Sequence, residues 1–385
     1  MFRSLREHHP EWKLHLALAD ELPPDLRLEH EPLDSIVSIA ELGIPDWKGW
    51  SFGHQLVELA TAIKPFMLAR LLKQEGCSRV LYLDPDIVVF SPLDDIIAAL
   101  AESSIVLTPH QAEPETELAE IIDNEICSLK HGVYNLGFIG VAATDTGHAF
   151  AAWWSRRLYH FCRDDIPNGL FTDQRWIDLV PALFPAVGIL RSPRFNAAAW
   201  NLSKRELSRD PQGKYCVNGK PLGFYHFTGF DSGAHLLMVA RSAPDNAAIQ
   251  ELITWYQDES RLAAQDALSK SPWYYGSFSD GTPILAAQRY YYRDHPELQQ
   301  RFPDPYEATT YLAWWRDNGD PLWPASSIPP TPGFSAGKSA SGLSGKLGVL
   351  RRAATNPAVG KALGKRAWDV YRSEGIKGIV RRLKR

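Results

Sequence analysis

The chain has 385 residues, of which 45% are hydrophobic and 22% charged, so it can bury one large core or two modest ones. No apolar run approaches transmembrane length, and the N-terminal segment lacks the apolar stretch of a signal peptide. The four cysteines are scattered without metal-ligand spacing. They are typical of reduced thiols and favour a cytoplasmic location.

The charge is distributed unevenly along the chain. Residues 331–385 contain 13 Lys or Arg against 2 Asp or Glu, so the net charge of −4 divides into +11 there and −15 in residues 1–330. An acidic body argues against nucleic acid as its partner.

Helices and strands alternate in the first 230 residues, which predicts a layered α/β domain. A helix opens the chain and a strand follows at 13–19. Apolar residues at helical spacing predict one helix over 56–71, and a fully buried strand follows at 80–83. The remaining predicted elements are a helix beginning at 91–95, strands at 105–107 and 134–141, helices at 147–163 and 173–183, and short strands at 187–190 and 224–227.

The C-terminal part changes character in three steps. Residues 234–324 are helical in pattern and rich in aromatic residues. Residues 325–346 are rich in Pro, Ser, Gly and Ala, which is the composition of a flexible linker. Residues 347–385 place apolar residues among Lys and Arg, which predicts a basic amphipathic tail.

Two carboxylates, Asp84 and Asp86, directly follow the strand at 80–83. In open α/β sheets the ligand crevice lies at the carboxyl ends of strands. Carboxylates this close repel each other unless a cation neutralises them, and oxygen ligands suit Mg²⁺ or Mn²⁺. The pair therefore predicts a site that holds a metal ion and a diphosphate.

An acidic pair after a strand is often only a solvated loop or a helix N-cap. Here Pro85 stiffens the link between the two acids, and the apolar run 87–90 follows at once. The acids thus interrupt buried structure, which favours a functional site.

Further motifs occur in a fixed order along the chain. Together with the acidic pair they are Lys64-Pro65 on a helix, Asp84-Pro85-Asp86, Asn135-Leu136-Gly137, Asp173-Gln174, and His226-Phe227-Thr228-Gly229. With these motifs, residues 1–230 resemble the metal-dependent nucleotide-sugar glycosyltransferases of the GT-A fold, nearest to glycosyltransferase family 8.

The resemblance implies a GT-A-like, Rossmann-related mixed sheet flanked by helices over residues 1–233. The helical pattern of residues 234–324 lies beyond it, and we expect this region to pack on the catalytic domain. The resemblance implies transfer of a sugar from a nucleoside diphosphate sugar, expected to be UDP-linked, to a hydroxyl group with retention at the anomeric carbon. The expected acceptor is a glycan or glycolipid in bacterial-type polysaccharide or glycolipid assembly.

The resemblance also implies roles for individual residues. The metal ligands for Mn²⁺ (or Mg²⁺) would be Asp84, Asp86 and His226. The donor would contact Lys64, Asp84, Asn135 and Gly137, and the catalytic residues on the sugar and acceptor side would be Asp173 and Gln174.

Each of these side chains has a structural alternative. Lys64 would otherwise be a solvated helix lysine, and His226 a core histidine bonded to backbone. Asp173 would otherwise cap the following helix, with Thr172 as a competing cap.

The chain departs from the family pattern at two points. The N-terminal strand and loop that hold the nucleotide base are expected to be missing. Phe230-Asp231-Ser232 follows the last motif where the family has Lys-Pro, so a lysine for the diphosphate is absent there. Lys64, Arg191 or a residue of the helical region is the candidate replacement.

Other classes remain open. Haloacid-dehalogenase phosphatases also end a strand in Asp-x-Asp, but Val88 stands where their threonine is expected. A glycosyltransferase-like protein that binds nucleotide-sugar or glycan without turnover is the non-enzymatic alternative. The basic tail either holds the chain peripherally on the anionic inner face of a membrane, solubilises it, or links it to a partner.

Overall fold

The computed structural model describes residues 1–23, 26–266 and 268–319. The predicted linker at 325–346 and the predicted basic tail at 347–385 lie outside these residues. In the described chain all four cysteines are free thiols, as predicted. No helix of these three segments combines the length and the apolar character needed to span a bilayer.

The main sheet is built around the strand Tyr134–Ala142. It pairs antiparallel with Arg79–Leu83 on one side and with Ile105–Pro109 on the other. Val187–Ile189 lies parallel beside Ile105–Pro109. The central strand is buried from Asn135 onward because it has neighbours on both edges.

A second, smaller sheet continues the chain beyond the acidic pair. Its middle strand, Phe224–His226, pairs antiparallel with Ile87–Val89 and parallel with Ala197–Ala198. The turn Asp84-Pro85-Asp86 therefore connects the two sheets.

Three further small sheets and a set of helices surround these two. The other strands are His15–Leu18 with Ser35–Ser38, Arg163–Asp165 with Leu170–Thr172, and Leu207–Arg209 with Tyr215–Val217 and Lys220–Pro221. The α-helices are Phe2–His8, Trp47–Phe52, Leu56–Ala62, Lys64–Leu72, Asp94–Glu102, Leu118–Glu120, Ile126–His131, Asp145–Phe161, Gln174–Ile177, Val180–Leu183, Ala234–Ser242, Ala247–Ala263, Ala286–Asp294, Pro296–Arg301 and Ala313–Asn318.

The predicted fold class, a mixed α/β sheet flanked by helices with a helical C-terminal region, is confirmed. Apolar side chains of the central strand alternate between the two faces of the sheet, as a period of two requires. Ile139 and Val141 pack in the cluster that contains Trp154, whereas Phe138 packs in the opposite cluster with Phe224.

Two predictions of a continuous helix were wrong, and so was the prediction that one strand is fully buried. The helix predicted over 56–71 and the one over 173–183 are each interrupted, because Pro65 and Pro181 have no N–H to donate to the carbonyl four residues earlier. The strand predicted as fully buried at 80–83 is buried only at Leu83, since in the described chain it has a ladder partner on one edge only.

The C-terminal helical region packs on the helix Trp47–Phe52. The Phe52 ring is fully buried against Phe278, Tyr292 and Tyr311. Arg289 reaches across the same contact, where its guanidinium donates to the carbonyl oxygens of Phe52 and His54 at 3.1 Å each. Apolar packing and buried hydrogen bonds thus hold the two regions together.

His54, which lies in this contact, predicts a pH dependence of stability. Burial lowers its pKa from 6.5 to about 3, and nearby arginines add to the effect. Between these two values the unfolded chain binds one more proton than the native chain, so stability falls as the pH falls. In His54→Gln, the slope of unfolding free energy against pH from 6 to 4 should decrease by about 1.4 kcal/mol per pH unit.

Denaturant unfolding of wild type and His54→Gln across this pH range measures the difference in slope. His148→Gln, at a half-buried position on the helix Asp145–Phe161, is the matched control for replacing a histidine by glutamine. Identical slopes for wild type and His54→Gln would contradict the assignment of a neutral buried imidazole.

Candidate active site

Strand pairing brings Asp86 and His226 together. His226 is the register partner of Ile87 across the antiparallel pair, and Phe227 N donates to the carbonyl of Asp86 at 2.9 Å. The His226 side chain therefore lies directly beside the residue that precedes Ile87. Its Nε2 is 3.0 Å from Asp86 Oδ1 and 3.8 Å from Asp84 Oδ2.

Asp84, Asp86 and His226 form a donor set that fits a divalent cation. Their ligand atoms all lie within 4.8 Å of one another. Burial alone would raise the pKa of Asp86, but its contact with His226 outweighs burial and lowers it. Two carboxylates suit Mg²⁺ or Mn²⁺, and a neutral imidazole is in general a suitable third ligand for Mn²⁺.

The two oxygens of Asp84 face different partners. Oδ2 faces His226, whereas Oδ1 lies 3.2 Å from Lys64 Nζ and accepts a hydrogen bond from the Tyr82 hydroxyl. Burial and the Asp84 carboxylate raise the pKa of Tyr82 well above its usual value, so the hydroxyl remains a donor. The carboxylate is therefore oriented with one oxygen toward the metal position.

Lys64 is a buried cation between two carboxylates. Its amine lies 3.0 Å from Asp173 Oδ2, donates to the carbonyl of Leu136 at 3.2 Å, and sits 4.5 Å from the centre of the Tyr82 ring. Burial alone would lower the pKa of Lys64, but Asp173 and Asp84 outweigh it and raise it well above the usual value. The alternative of a solvated helix lysine is therefore excluded.

Asp173 stands before the helix Gln174–Ile177, yet its side chain makes no capping bond. Its carboxylate is buried, pairs with Lys64 and accepts from Thr172 Oγ1 at 3.2 Å. Thr172 has a φ of +42°, which is rare for a β-branched residue. The hairpin that ends at Thr172 thus turns the next residue inward rather than letting it cap the helix.

Gln174 supports the central strand. Its Oε1 accepts from Leu136 N at 3.1 Å, and its Nε2 donates to the carbonyl of His131 at 2.9 Å. Both ends of the amide are thus engaged with backbone on either side of Asn135.

Asn135 and Gly137 lie against the imidazole of His226. Asn135 Oδ1 is 3.0 Å from His226 Nδ1 and accepts from Gly137 N at 3.2 Å. A Cβ at position 137 would lie 2.6 Å from Nδ1, so only glycine leaves room for the ring. The alternative of a core histidine bonded to backbone does not describe His226, whose described ring partners are side chains.

The structure brings seven of the eight predicted site residues into one continuous set of contacts, whereas the Gln174 side chain bonds to the backbone of Leu136 and His131 beside them. Sequence reasoning missed three neighbours of this set: Tyr82, His110 and Trp200. Tyr82 is detectable in principle, because residues two apart on a strand share a face. Arg191, the candidate replacement for the missing lysine, lies elsewhere, in a groove that Lys204 and Arg205 also line.

No protein-family model matches the chain. The chain is similar to two uncharacterized proteins of Bacillus subtilis strain 168. YfnD is 26% identical over 235 residues, which cover 60% of this chain and 72% of YfnD. YfnF is 28% identical over 181 residues, which cover 45% of this chain and 57% of YfnF.

Among solved structures, the chain is similar to the galactosyltransferase LgtC in complex with donor and acceptor sugar analogs. The identity is 15%, the match covers 59% of this chain and 81% of LgtC, and the TM-score is 0.33. An active-site mutant of LgtC matches with 14% identity over the same shares and a TM-score of 0.32. Function is therefore inferred below from the geometry of the site.

Proposed function

We propose that this chain is a divalent-metal-dependent glycosyltransferase that moves a sugar from a nucleoside diphosphate sugar, UDP-linked, to a hydroxyl group with retention. The observation that carries the proposal is the Asp84, Asp86 and His226 cluster at the junction of two sheets. Beside it lies the buried Lys64, so carboxylate ligands and a fixed cation occupy one site. The order of motifs in the sequence supports the same reaction.

A bound Mn²⁺ or Mg²⁺ would supply Lewis-acid stabilisation of the charge that develops on the leaving diphosphate. Asp84, Asp86 and His226 would hold the ion, and Lys64 would act as a point charge on the donor side.

The sugar side of the site is assigned to the strand and helix next to Lys64. Asn135 and Gly137 would line the donor, and Asp173 and Gln174 would line the sugar and acceptor. Because Asp173 is paired with Lys64, the proposal assigns the acceptor proton to a donor phosphate oxygen rather than to a protein base.

The acceptor class in this proposal is a glycan or glycolipid of polysaccharide or glycolipid assembly. We further propose that residues 347–385 hold the chain peripherally on the anionic inner face of a membrane. These residues lie outside those that the structure describes, so this part depends on the composition of the tail alone.

A donor screen tests the proposal. The full chain is incubated with UDP-, GDP- and ADP-linked hexoses and Mn²⁺, and the release of free sugar and the binding of each nucleotide are measured. We expect one donor to be hydrolysed slowly without acceptor, with loss of activity in EDTA and recovery on adding Mn²⁺. Absence of both hydrolysis and binding for every donor would refute the proposal, and nucleotide binding without turnover would favour the non-enzymatic alternative.

A further inference from the structure

We propose that Asn135 is a positioning residue that sets the tautomer of His226 and aims its Nε2 at the metal position. The inference deepens the proposed function, since it rests on the same metal site. It gives Asn135 a role distinct from the donor contact implied by the sequence motif.

The backbone identifies the two ends of the Asn135 amide. Gly137 N–H can only donate, and it points at one end of the Asn135 side chain at 3.2 Å. That end must therefore be the carbonyl oxygen, Oδ1. Because the assignment depends on a backbone N–H, exchanging the amide oxygen and nitrogen would place two donors against each other.

The same oxygen then determines the tautomer of His226. Oδ1 also lies 3.0 Å from His226 Nδ1, and an oxygen can only accept, so Nδ1 carries the proton. With Nδ1 bound to Asn135, Nε2 is the ring nitrogen left to face the metal position, 3.0 Å from Asp86 and 3.8 Å from Asp84. A metal ion bound there would take the place of a proton on Nε2, while Asn135 keeps the proton on Nδ1.

The other end of Asn135 gives the same direction of donation. Its Nδ2 lies 3.3 Å from His110 Nε2, and His110 Nδ1 lies 3.3 Å from the carbonyl of Val133. A carbonyl can only accept, so His110 Nδ1 donates and His110 Nε2 accepts from Asn135. The hydrogen bonds that link His226, Asn135, His110 and Val133 are thus all donated in the same direction, toward the Val133 carbonyl. That carbonyl and the Gly137 N–H fix the direction.

Packing holds the two rings in this arrangement. The Trp200 ring meets both His110 and His226 with ring centres 5.3 Å apart in each case. Gly137 supplies the space that the His226 ring occupies. Rotation of His226 away from Asn135 would therefore require movement of its neighbours.

Titration of the full chain with Mn²⁺ alone, followed by electron paramagnetic resonance, tests the inference. Asn135→Ala removes the acceptor, and we expect Mn²⁺ affinity to fall about 10- to 100-fold, the range seen when the partner of a ligating histidine is removed. Asn135→Asp keeps an acceptor for His226 and should bind Mn²⁺ within a few-fold of wild type. The ¹⁴N coupling of imidazole to Mn²⁺ should persist in Asn135→Asp and weaken in Asn135→Ala.

Asn124→Ala is the matched control, because Asn124 is also a buried amide but bonds to Glu115. It should leave Mn²⁺ affinity unchanged. If Asn135→Ala does not fold, Asn135→Gln shifts the acceptor by one methylene and should show the same loss.

Wild-type Mn²⁺ affinity and ¹⁴N coupling in folded Asn135→Ala, with a raised KM for the donor, would overturn the inference in favour of a direct donor contact. Failure of the proposed function has a different signature. In that case every donor remains unreacted while the wild-type chain and Asn135→Asp still bind Mn²⁺ more tightly than Asn135→Ala.

Discussion

Asp86→Ala is expected to abolish sugar transfer while leaving the fold intact. Asp86 supplies one of two carboxylates that face the metal position, and its oxygen lies 3.0 Å from His226 Nε2. In the proposed reaction, loss of this ligand would remove stabilisation of the leaving diphosphate that is worth several kcal/mol, so transfer should fall by about 10³-fold or more. Mn²⁺ affinity should fall with it.

Stability should change little, because Asp86 is partly exposed and its removal relieves repulsion from Asp84. Thermal unfolding checks this. Asp258→Ala is a suitable control, since Asp258 is an exposed carboxylate that pairs only with Arg261 on the same helix in the described contacts. Transfer near the wild-type rate by Asp86→Ala at saturating Mn²⁺ would refute the metal assignment.

Sequence reasoning brought out the two acids of this candidate metal cluster because their signal is local. Asp84 and Asp86 stand between two apolar runs, and a turn between two strands is the simplest way to satisfy that pattern. His226 stands within the short strand predicted at 224–227, so its place on a strand was also predictable. Its pairing with Ile87, which brings it beside Asp86, is a long-range contact that only the structure supplies.

The remaining contacts depend on tertiary packing and have no local signature. No pattern in the sequence near Lys64 predicts that its amine lies between Asp84 and Asp173, which are 20 and 109 positions away. The same holds for His110 and Trp200, whose contacts with Asn135 and His226 cross between strands and loops.

The helix boundaries were predicted wrongly for a different reason. At Pro65 and Pro181 the apolar spacing continues through the proline, so periodicity outweighed the missing N–H in the prediction. The interruption at Pro65 affects the site, because Lys64 becomes the first residue of its own helix.

Lys64→Met is the second change with a large expected effect. Methionine keeps the apolar stem but removes the charge that separates Asp84 from Asp173. Breaking a buried pair by removing one partner typically costs 3–5 kcal/mol, and Asp173 is left buried without a cation, so we expect a loss of roughly 4 kcal/mol at pH 7. Lys73→Met, at an exposed position just after the same helix, should change stability by less than about 0.5 kcal/mol.

The pH dependence follows from the carboxylate that remains. Without Lys64, burial and Asp84 would raise the pKa of Asp173 further, since burial already raises it in the intact site. A group whose native pKa lies above its unfolded value loses stability as the pH rises. The difference in unfolding free energy between wild type and Lys64→Met should therefore shrink as the pH is lowered from 7 to 5.

The double variant Lys64→Met/Asp173→Asn separates stability from function. Removing both charges should restore much of the lost stability, because no uncompensated buried charge remains. Sugar transfer should stay low, since the point charge that the proposed function assigns to Lys64 is gone. Mn²⁺ affinity should rise rather than fall in Lys64→Met, because the positive charge that lies 3.2 Å from Asp84 Oδ1, on the carboxylate whose other oxygen faces the metal position, no longer repels the ion. If Mn²⁺ affinity in Lys64→Met instead fell as far as in Asp86→Ala, the result would indicate that Lys64 helps to hold the metal ligands in place.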